Sequence, residues 1–290
     1  MERIAVMGGD GRQRYAAAYL RRLGYCVRTW GLFPEDPEDW HTVLPADAVL
    51  LPLPAAGDSL SVAVPLSPGA GRLRFSALTD AVGAETVLFG GRMPEKWIAE
   101  ANAKGLTAVD YAWDEAFQMK NALPTVEGAI LLALEALPHT LSGAAVAVTG
   151  YGRIAALLAD RLRTLGAETT VYARRARDLA AAGMRGHRTE RITPECPIRL
   201  PEDCRVVFNT VPAPIFSRAA LAHFPAECLY IELASVPGGI DPIAVREGNI
   251  RILHGGGLPG RCFPESAGVI VAETVLSLFP KSNRKEEPLC

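Results

Sequence analysis

The residues best suited to chemistry are Gly150-Tyr151-Gly152-Arg153-Ile154-Ala155. They sit between the aliphatic run AAVAVT and the amphipathic stretch ALLADRL. The spacing is GxGxxA. The first glycine permits a tight strand-to-helix turn and the second lets backbone approach a pyrophosphate. The small third residue lets the helix lie close to the strand. The helix N-terminus then offers unbonded N–H groups to phosphate oxygens. The next strand, ending VYARRARDL, tells which dinucleotide is expected. A site for NAD carries Asp or Glu there, on the ribose hydroxyls. Ala173 occupies that place, followed by Arg174 and Arg175, with Arg177 beyond. A missing carboxylate and available guanidinium groups predict NADP, held through its 2′-phosphate. The same basic run would also suit a solvated helix start.

A second glycine run, Gly8-Gly9-Asp10-Gly11-Arg12-Gln13-Arg14, follows the strand-like RIAVM. Here the large Arg14 stands at the third fingerprint position, and the following strand ends in Trp30-Gly31 with no acid. This loop is therefore assigned to substrate, through Asp10, Arg12 and Gln13, with Arg12 clamping a carboxylate. An ordinary surface turn is the plainer alternative. Asn209, Thr210, Val211 and Pro212 end a strand where the nicotinamide half of the cofactor should lie. Ser235 in LASVPGG and His254 before GGGLPG end the next two strands. Thr125 and Glu127 read as the start of a helix opened by Pro124. Thr125 and Ser235 are candidate substrate hydroxyls. Glu127 and His254 are the candidate proton acceptors, although Glu127 would equally complement a helix dipole. No Ser-His-Asp order and no metal-ligand cluster stands out, so no metal is expected.

These loops need a scaffold of alternating short strands and helices, the pattern of parallel α/β sheets. Strands are expected near 3–7, 25–30, 48–53, 86–89 and 106–109. After a helix over 124–137 they recur near 144–149, 168–172, 205–208, 228–233 and 250–253. A loop over 58–74 should cover a cleft. Pro264 opens a last helix, in which Ala267, Val271, Val275 and Leu278 share a face. The divisions are 1–123 for a flavodoxin- or Rossmann-like substrate domain and 124–143 for an interdomain helix and linker. They continue with 144–262 for the NADP-binding domain and 263–290 for a helix returning to the first domain and a frayed tail. The fold class is α/β, with two Rossmann-like doubly wound parallel-sheet domains.

Composition excludes other classes. The chain has 290 residues, 49% hydrophobic and 21% charged, which is globular rather than disordered. A net charge of −2 leaves no electrostatic footprint for nucleic acid or an anionic membrane. No apolar stretch approaches the ~20 residues of a membrane span, so a cytoplasmic protein is expected. The six cysteines never form CxxC and read as free thiols.

GGDGRQ, PTVEGAILLAL, VTGYGRIA, NTVP, LASVPGG, and GLPG followed by PESAG, in that order, resemble the A-subunit family of dipicolinate synthase. The resemblance runs from about Ile4 to Leu278. It implies a two-domain arrangement like that of the hydroxyacid dehydrogenases, with interdomain helices. It also implies NADP-dependent oxidation of a dihydro- or tetrahydropyridine dicarboxylate from the lysine pathway, giving dipicolinate for bacterial spores. The flavoprotein-like B-subunit of dipicolinate synthase is the implied partner. A homo-oligomer and the mother cell of a sporulating bacterium come with it. A non-catalytic NADP-binding scaffold or regulatory protein stays open, as does another NADP-dependent two-domain dehydrogenase.

Overall fold

Short aliphatic runs buried on both faces build two parallel sheets. In a computed structural model, which describes residues 2–67, 69, 71–193, 198–240 and 250–279, the chain divides into two units. Unit 1 is Met1–Asn121 with Phe263–Cys290, and unit 2 is Ala122–Cys262.

Unit 1 holds β1 (Arg3–Met7), β2 (Cys26–Trp30), β3 (Ala48–Leu50), β4 (Val87–Gly90) and β5 (Thr107–Asp110). Their order is β2-β1-β3-β4-β5 and every pairing is parallel. This is the flavodoxin-like doubly wound order. Alternate residues of β1 feed the two faces. Ile4 and Val6 join Leu20 of α1 (Gly11–Arg22), whereas Ala5 and Met7 join Trp97 of α3 (Glu95–Ala103). The ring of Phe75, which opens α2 (Phe75–Ala81), stacks on Trp97 with centroids 4.5 Å apart.

α4 (Glu115–Ala136) carries the chain into unit 2. The sequence pattern starts this helix at Pro124, but it starts at Glu115. There the Asp114 carboxylate accepts the Phe117 N–H at 2.7 Å and serves as the cap. Pro124 lies inside the helix, where its missing N–H removes one i→i−4 bond.

Unit 2 holds β6 (Ala145–Thr149), β7 (Glu168–Ala173), β8 (Arg188–Arg191), β9 (Cys204–Asn209), β10 (Leu229–Glu232) and β11 (Arg251–His254). Their order is β11-β10-β9-β6-β7-β8, again all parallel. Counted outward from β6 this is 3-2-1-4-5-6, the dinucleotide-binding order, reversing between β6 and β9. α5 (Arg153–Thr164) packs Ala155, Leu158, Ala159 and Leu162 on one face of the sheet. α6 (Ala176–Met184), α7 (Arg218–Leu221) and α8 (Leu258–Cys262) complete the helices of the described part of unit 2.

α9 (Pro264–Leu278) belongs to unit 1, packed on α1. Gly268 makes that approach possible, because a Cβ there would collide with the Arg12 carbonyl. Two other expectations need correction. The strand expected over 48–53 stops at Leu50, ahead of Pro52 and Pro54, which have no N–H for a ladder. Polar β8 has no counterpart among the expected strands, since RTER lacks any apolar alternation. Cys26, Cys204, Cys228 and Cys262 are free thiols. Cys196, Cys290 and the tail over 281–290 lie outside the described residues. Among the described residues, no helix is long and apolar enough to cross a membrane.

Candidate functional site

Two βα turns open at the carboxyl edges of the sheets, and their electrostatics differ. Gly150 ends β6 at φ +86°, a conformation only glycine adopts readily. A Cβ there would stand 2.6 Å from Thr210 Oγ1 and 3.1 Å from Val211 Cγ2. Gly152 is the N-cap of α5, with no side-chain hydrogen bond capping the helix and no heavy atom within 4 Å of where its Cβ would be. A glycine N-cap with open space where its side chain would stand, at the positive end of a three-turn helix, is the arrangement that suits a phosphate. Ala155 is fully buried against the core and Ile154 packs beside it, so the turn is held tightly to the sheet. Arg153 is exposed on the first turn. Tyr151 is half-buried, and that burial raises its hydroxyl above the ordinary tyrosine value.

At the end of β7, Ala173 is buried while Arg174 and Arg175 are exposed. Neither arginine forms an ion pair among the described residues. Arg175 occupies the N-cap of α6 without capping it through its side chain.

On the other side of the crossover, the ends of β9 and β10 are tied by hydrogen bonds. Thr149 Oγ1 donates to Asn209 Oδ1 at 2.5 Å, and Asn209 Nδ2 donates to Glu232 Oε1 at 2.6 Å. Tyr230 Oη donates to Glu232 Oε2 at 3.1 Å, and the N–H groups of Ala234 and Gly239 donate to the same carboxylate at 2.9 and 2.7 Å. Asn209 also accepts the Val211 N–H and donates to the Val211 carbonyl. Its side chain, fully buried, is thus spent on the protein. Asn209, expected where the nicotinamide half of the cofactor should lie, shapes the loop at the end of β9. Thr210 donates its hydroxyl to the Thr149 carbonyl at 2.7 Å, Val211 is half-buried and Pro212 is exposed. Glu232 escapes a reading of the sequence. Its only signal there is an acid at the end of the apolar run LYIEL.

The turn after β1 in unit 1 is closed. Gly9 N–H donates to the Ala63 carbonyl at 2.8 Å, and a Cβ on Gly8 would meet that oxygen at 2.5 Å. The chain at Val62 and Ala63 therefore sits on the turn itself. Asp10 caps α1 by accepting the Arg12 N–H at 3.0 Å, and Gln13 returns a carbonyl to the Asp10 N–H, a complete capping box. The buried Arg12 guanidinium grips the Asp10 carboxylate through Nε and Nη2, at 2.9 and 2.8 Å, and also donates to the Leu53 carbonyl. Arg12 is therefore not an open carboxylate clamp, and Asp10 and Gln13 serve the helix start. Burial alone would raise the Asp10 carboxyl. The hydrogen bonds and charge of Arg12 outweigh it and hold it below the usual value.

Thr125 is buried, three turns into α4 rather than at its start. Glu127 is exposed on the same helix, too far from its N-terminus to complement the dipole. Ser235 and His254 are exposed at the ends of β10 and β11.

Residues 3–112 match the family model of the N-terminal domain of the dipicolinate synthase A-subunit. The dipicolinate synthase A-subunit of Bacillus subtilis (strain 168) is 32% identical over 169 residues, covering 57% of this chain. The match spans about half of that relative's length, 55%. The crystal structure of the dipicolinate synthase A-subunit from Bacillus halodurans gives a TM-score of 0.81 at 27% identity, covering 96% of this chain and 98% of that one. Residues 3–112 thus carry the N-terminal domain of that family, and the chain is similar to the dipicolinate synthase A-subunits over nearly its whole length. The fold extends beyond the family. The apo-structure of D-lactate dehydrogenase from Escherichia coli matches over 95% of both chains, with a TM-score of 0.58 at 14% identity. Two parallel-sheet α/β domains are thus common to the dipicolinate synthase A-subunits and the hydroxyacid dehydrogenases.

Proposed function

We propose that this chain is the NADP-binding subunit of a dipicolinate synthase. In this reading it oxidises a dihydropyridine dicarboxylate from the lysine pathway to dipicolinate in a sporulating bacterium. The observation that carries the reading is the contrast between the two βα turns. Gly152 caps α5 without a side chain and with open space where one would stand, whereas the N-terminus of α1 is filled by its own carboxylate. In this reading unit 2 is the dinucleotide unit.

Gly150, Gly152 and the first-turn N–H groups of α5 would hold the pyrophosphate. Arg174 and Arg175, unpaired beside buried Ala173, would hold the 2′-phosphate. Ala173 offers no hydrogen bond to a bare ribose, which disfavours NAD. The 210–212 segment, fixed by Asn209 and Glu232, would line the nicotinamide end. NADP bound there supplies a hydride acceptor. The dihydropyridine ring gives up one hydride and one proton, and a hydroxylated precursor would lose water as well. Aromatisation drives the oxidation, so the protein's work is orientation and removal of the proton. Glu127 and His254 are the exposed candidates for that proton, and Ser235 and Thr125 are candidate hydroxyls for the substrate. The flavoprotein-like B-subunit and a homo-oligomer complete the proposal.

The test supplies the purified chain with NADP⁺ and enzymatically made precursor, with and without that second protein. The expected result is growth of the aromatic product's absorbance together with reduced cofactor. Tight NADP binding with no product in either case would leave a scaffold and overturn the catalytic reading.

A further inference from the structure

Among the described residues, Glu232 is a carboxylate without a countercharge. It accepts four hydrogen bonds, from Asn209, Ala234, Tyr230 and Gly239, all from neutral donors. No Lys, Arg or His forms an ion pair with it among the described residues. Its surroundings allow it little freedom. A Cβ on Gly238 would stand 2.8 Å from Glu232 Oε2, and one on Gly239 would stand 2.5 Å from Tyr230 Oη. The paired N–H groups of Ala234 and Gly239 hold both oxygens at the mouth of the 233–239 loop.

The topology says what this charge faces. The sheet reverses between β6 and β9, and a dinucleotide lies across such a crossover with its pyrophosphate on the first βα turn. The adenosine half goes toward β7, where Ala173, Arg174 and Arg175 end the strand. The nicotinamide half must then go the other way, over the ends of β9 and β10, where Asn209 and Glu232 stand. Parallel strands lie ~4.8 Å apart, so a carboxylate one strand beyond Asn209 is within electrostatic range of a ring placed there.

We propose that Glu232 biases the site toward the oxidised cofactor, by placing a fixed negative charge, held by neutral donors, beside the nicotinamide ring. The inference rests on the dinucleotide reading above and adds to it a preference for one redox state. NADP⁺ and NADPH carry the same phosphates and the same adenosine and differ by the one positive charge on the ring. The ratio of their affinities isolates that charge and cancels everything the arginines and the α5 N-terminus contribute. A carboxylate satisfied by neutral donors keeps its field, whereas one paired to a cation would not.

Dissociation constants for NADP⁺, NADPH and 2′,5′-ADP are measured by calorimetry on the full chain and on Glu232→Gln and Glu232→Asp. Glu232→Gln is expected to weaken NADP⁺ relative to NADPH by about three- to tenfold, a Coulomb effect in a partly solvated site. It should leave 2′,5′-ADP, which reaches only the adenosine end, within about twofold. Glu232→Asp keeps the charge and should keep most of the ratio. Equal losses for NADP⁺ and NADPH, or no change in either, would make Glu232 a merely structural acceptor and overturn the proposal. Should Glu232→Gln fail to fold, the unmodified protein decides. It should bind NADP⁺ more tightly than NADPH, and an equal or reversed order overturns the idea. Failure of the unmodified chain to bind any of the three ligands would instead remove the dinucleotide reading itself.

Discussion

Replacing Asp10 tests whether the first glycine loop is a helix start or a ligand site. The carboxylate does two jobs: it caps α1 and it neutralises Arg12, whose side chain is 8% exposed against 34% for Asp10. Asp10→Asn keeps a good cap and removes the charge; Asp10→Ala removes both. An exposed pair is worth ~0–1 kcal/mol, and stranding a fully buried charge costs ~3–5 kcal/mol. This pair is intermediate and Arg12 keeps the Leu53 carbonyl, so Asp10→Asn should cost about 2 kcal/mol. Loss of the cap adds ~1 kcal/mol in Asp10→Ala. For a unit of this size each kcal/mol lowers Tm by roughly 2–4 °C. Differential scanning calorimetry should therefore show unit 1 melting about 4–8 °C lower in Asp10→Asn and about 6–12 °C lower in Asp10→Ala. NADP affinity should be unchanged. The pH dependence has a definite sign. The folded Asp10 carboxyl lies below its unfolded value, so its stabilisation is complete above the ordinary aspartate range. It fades as pH falls below that range. In Asp10→Asn that acid-sensitive component should be missing. Melting temperatures unmoved in both variants, with substrate binding lost, would refute the reasoning and return the loop to ligand recognition.

Gly152→Asp is expected to abolish NADP binding without harming the fold. The site has extended backbone and open space, and Asp is itself a favoured N-cap, so thermal stability should hold or rise while the phosphates are repelled. Unchanged affinity by calorimetry would show that the phosphates bind elsewhere. Neutralising Arg174 and Arg175 together should erase most of a preference for NADP over NAD of the order of 10²-fold, and adding Ala173→Asp should turn it toward NAD. Equal affinities in the unmodified protein would mean that both arginines serve only solvent. Gly268→Ala should cost unit 1 about 1–3 kcal/mol in denaturant unfolding, because its Cβ drives α9 off the Arg12 carbonyl. A midpoint within error of the unmodified protein would mean that the two helices part at little cost.

What the sequence discloses depends on how far apart the deciding partners lie. The α5 turn is legible because Gly150, Gly152 and Ala155 do their work within six residues, and the strands because their aliphatic runs are buried on both faces. Asp10-Gly11-Arg12-Gln13 reads as a ligand loop, although Asp-x-x-Gln is also a capping pattern. The choice rests on Ala63 and Leu53, about 50 and 40 residues further on, which close the turn and take up Arg12. Pro124 outweighs Asp114 as a helix-start signal because an interior proline is rare, yet the cap geometry belongs to Asp114. Glu232 is invisible because its donors come from β9, β10 and the loop beyond, and no local spacing joins them.

The membership of α9 in unit 1 imposes an order on synthesis. Its partner α1 emerges first, yet Tyr19 must wait 254 residues for Glu273, its hydrogen-bond acceptor. Unit 2, continuous in the chain, leaves the ribosome whole in that interval and can close its core alone. Until translation reaches Val271, Ala272 and Val275, the apolar side of α1 that they cover stands bare, along with part of the β1 face. A nascent chain halted after Cys262 thus carries one finished unit and one sticky, lidless sheet.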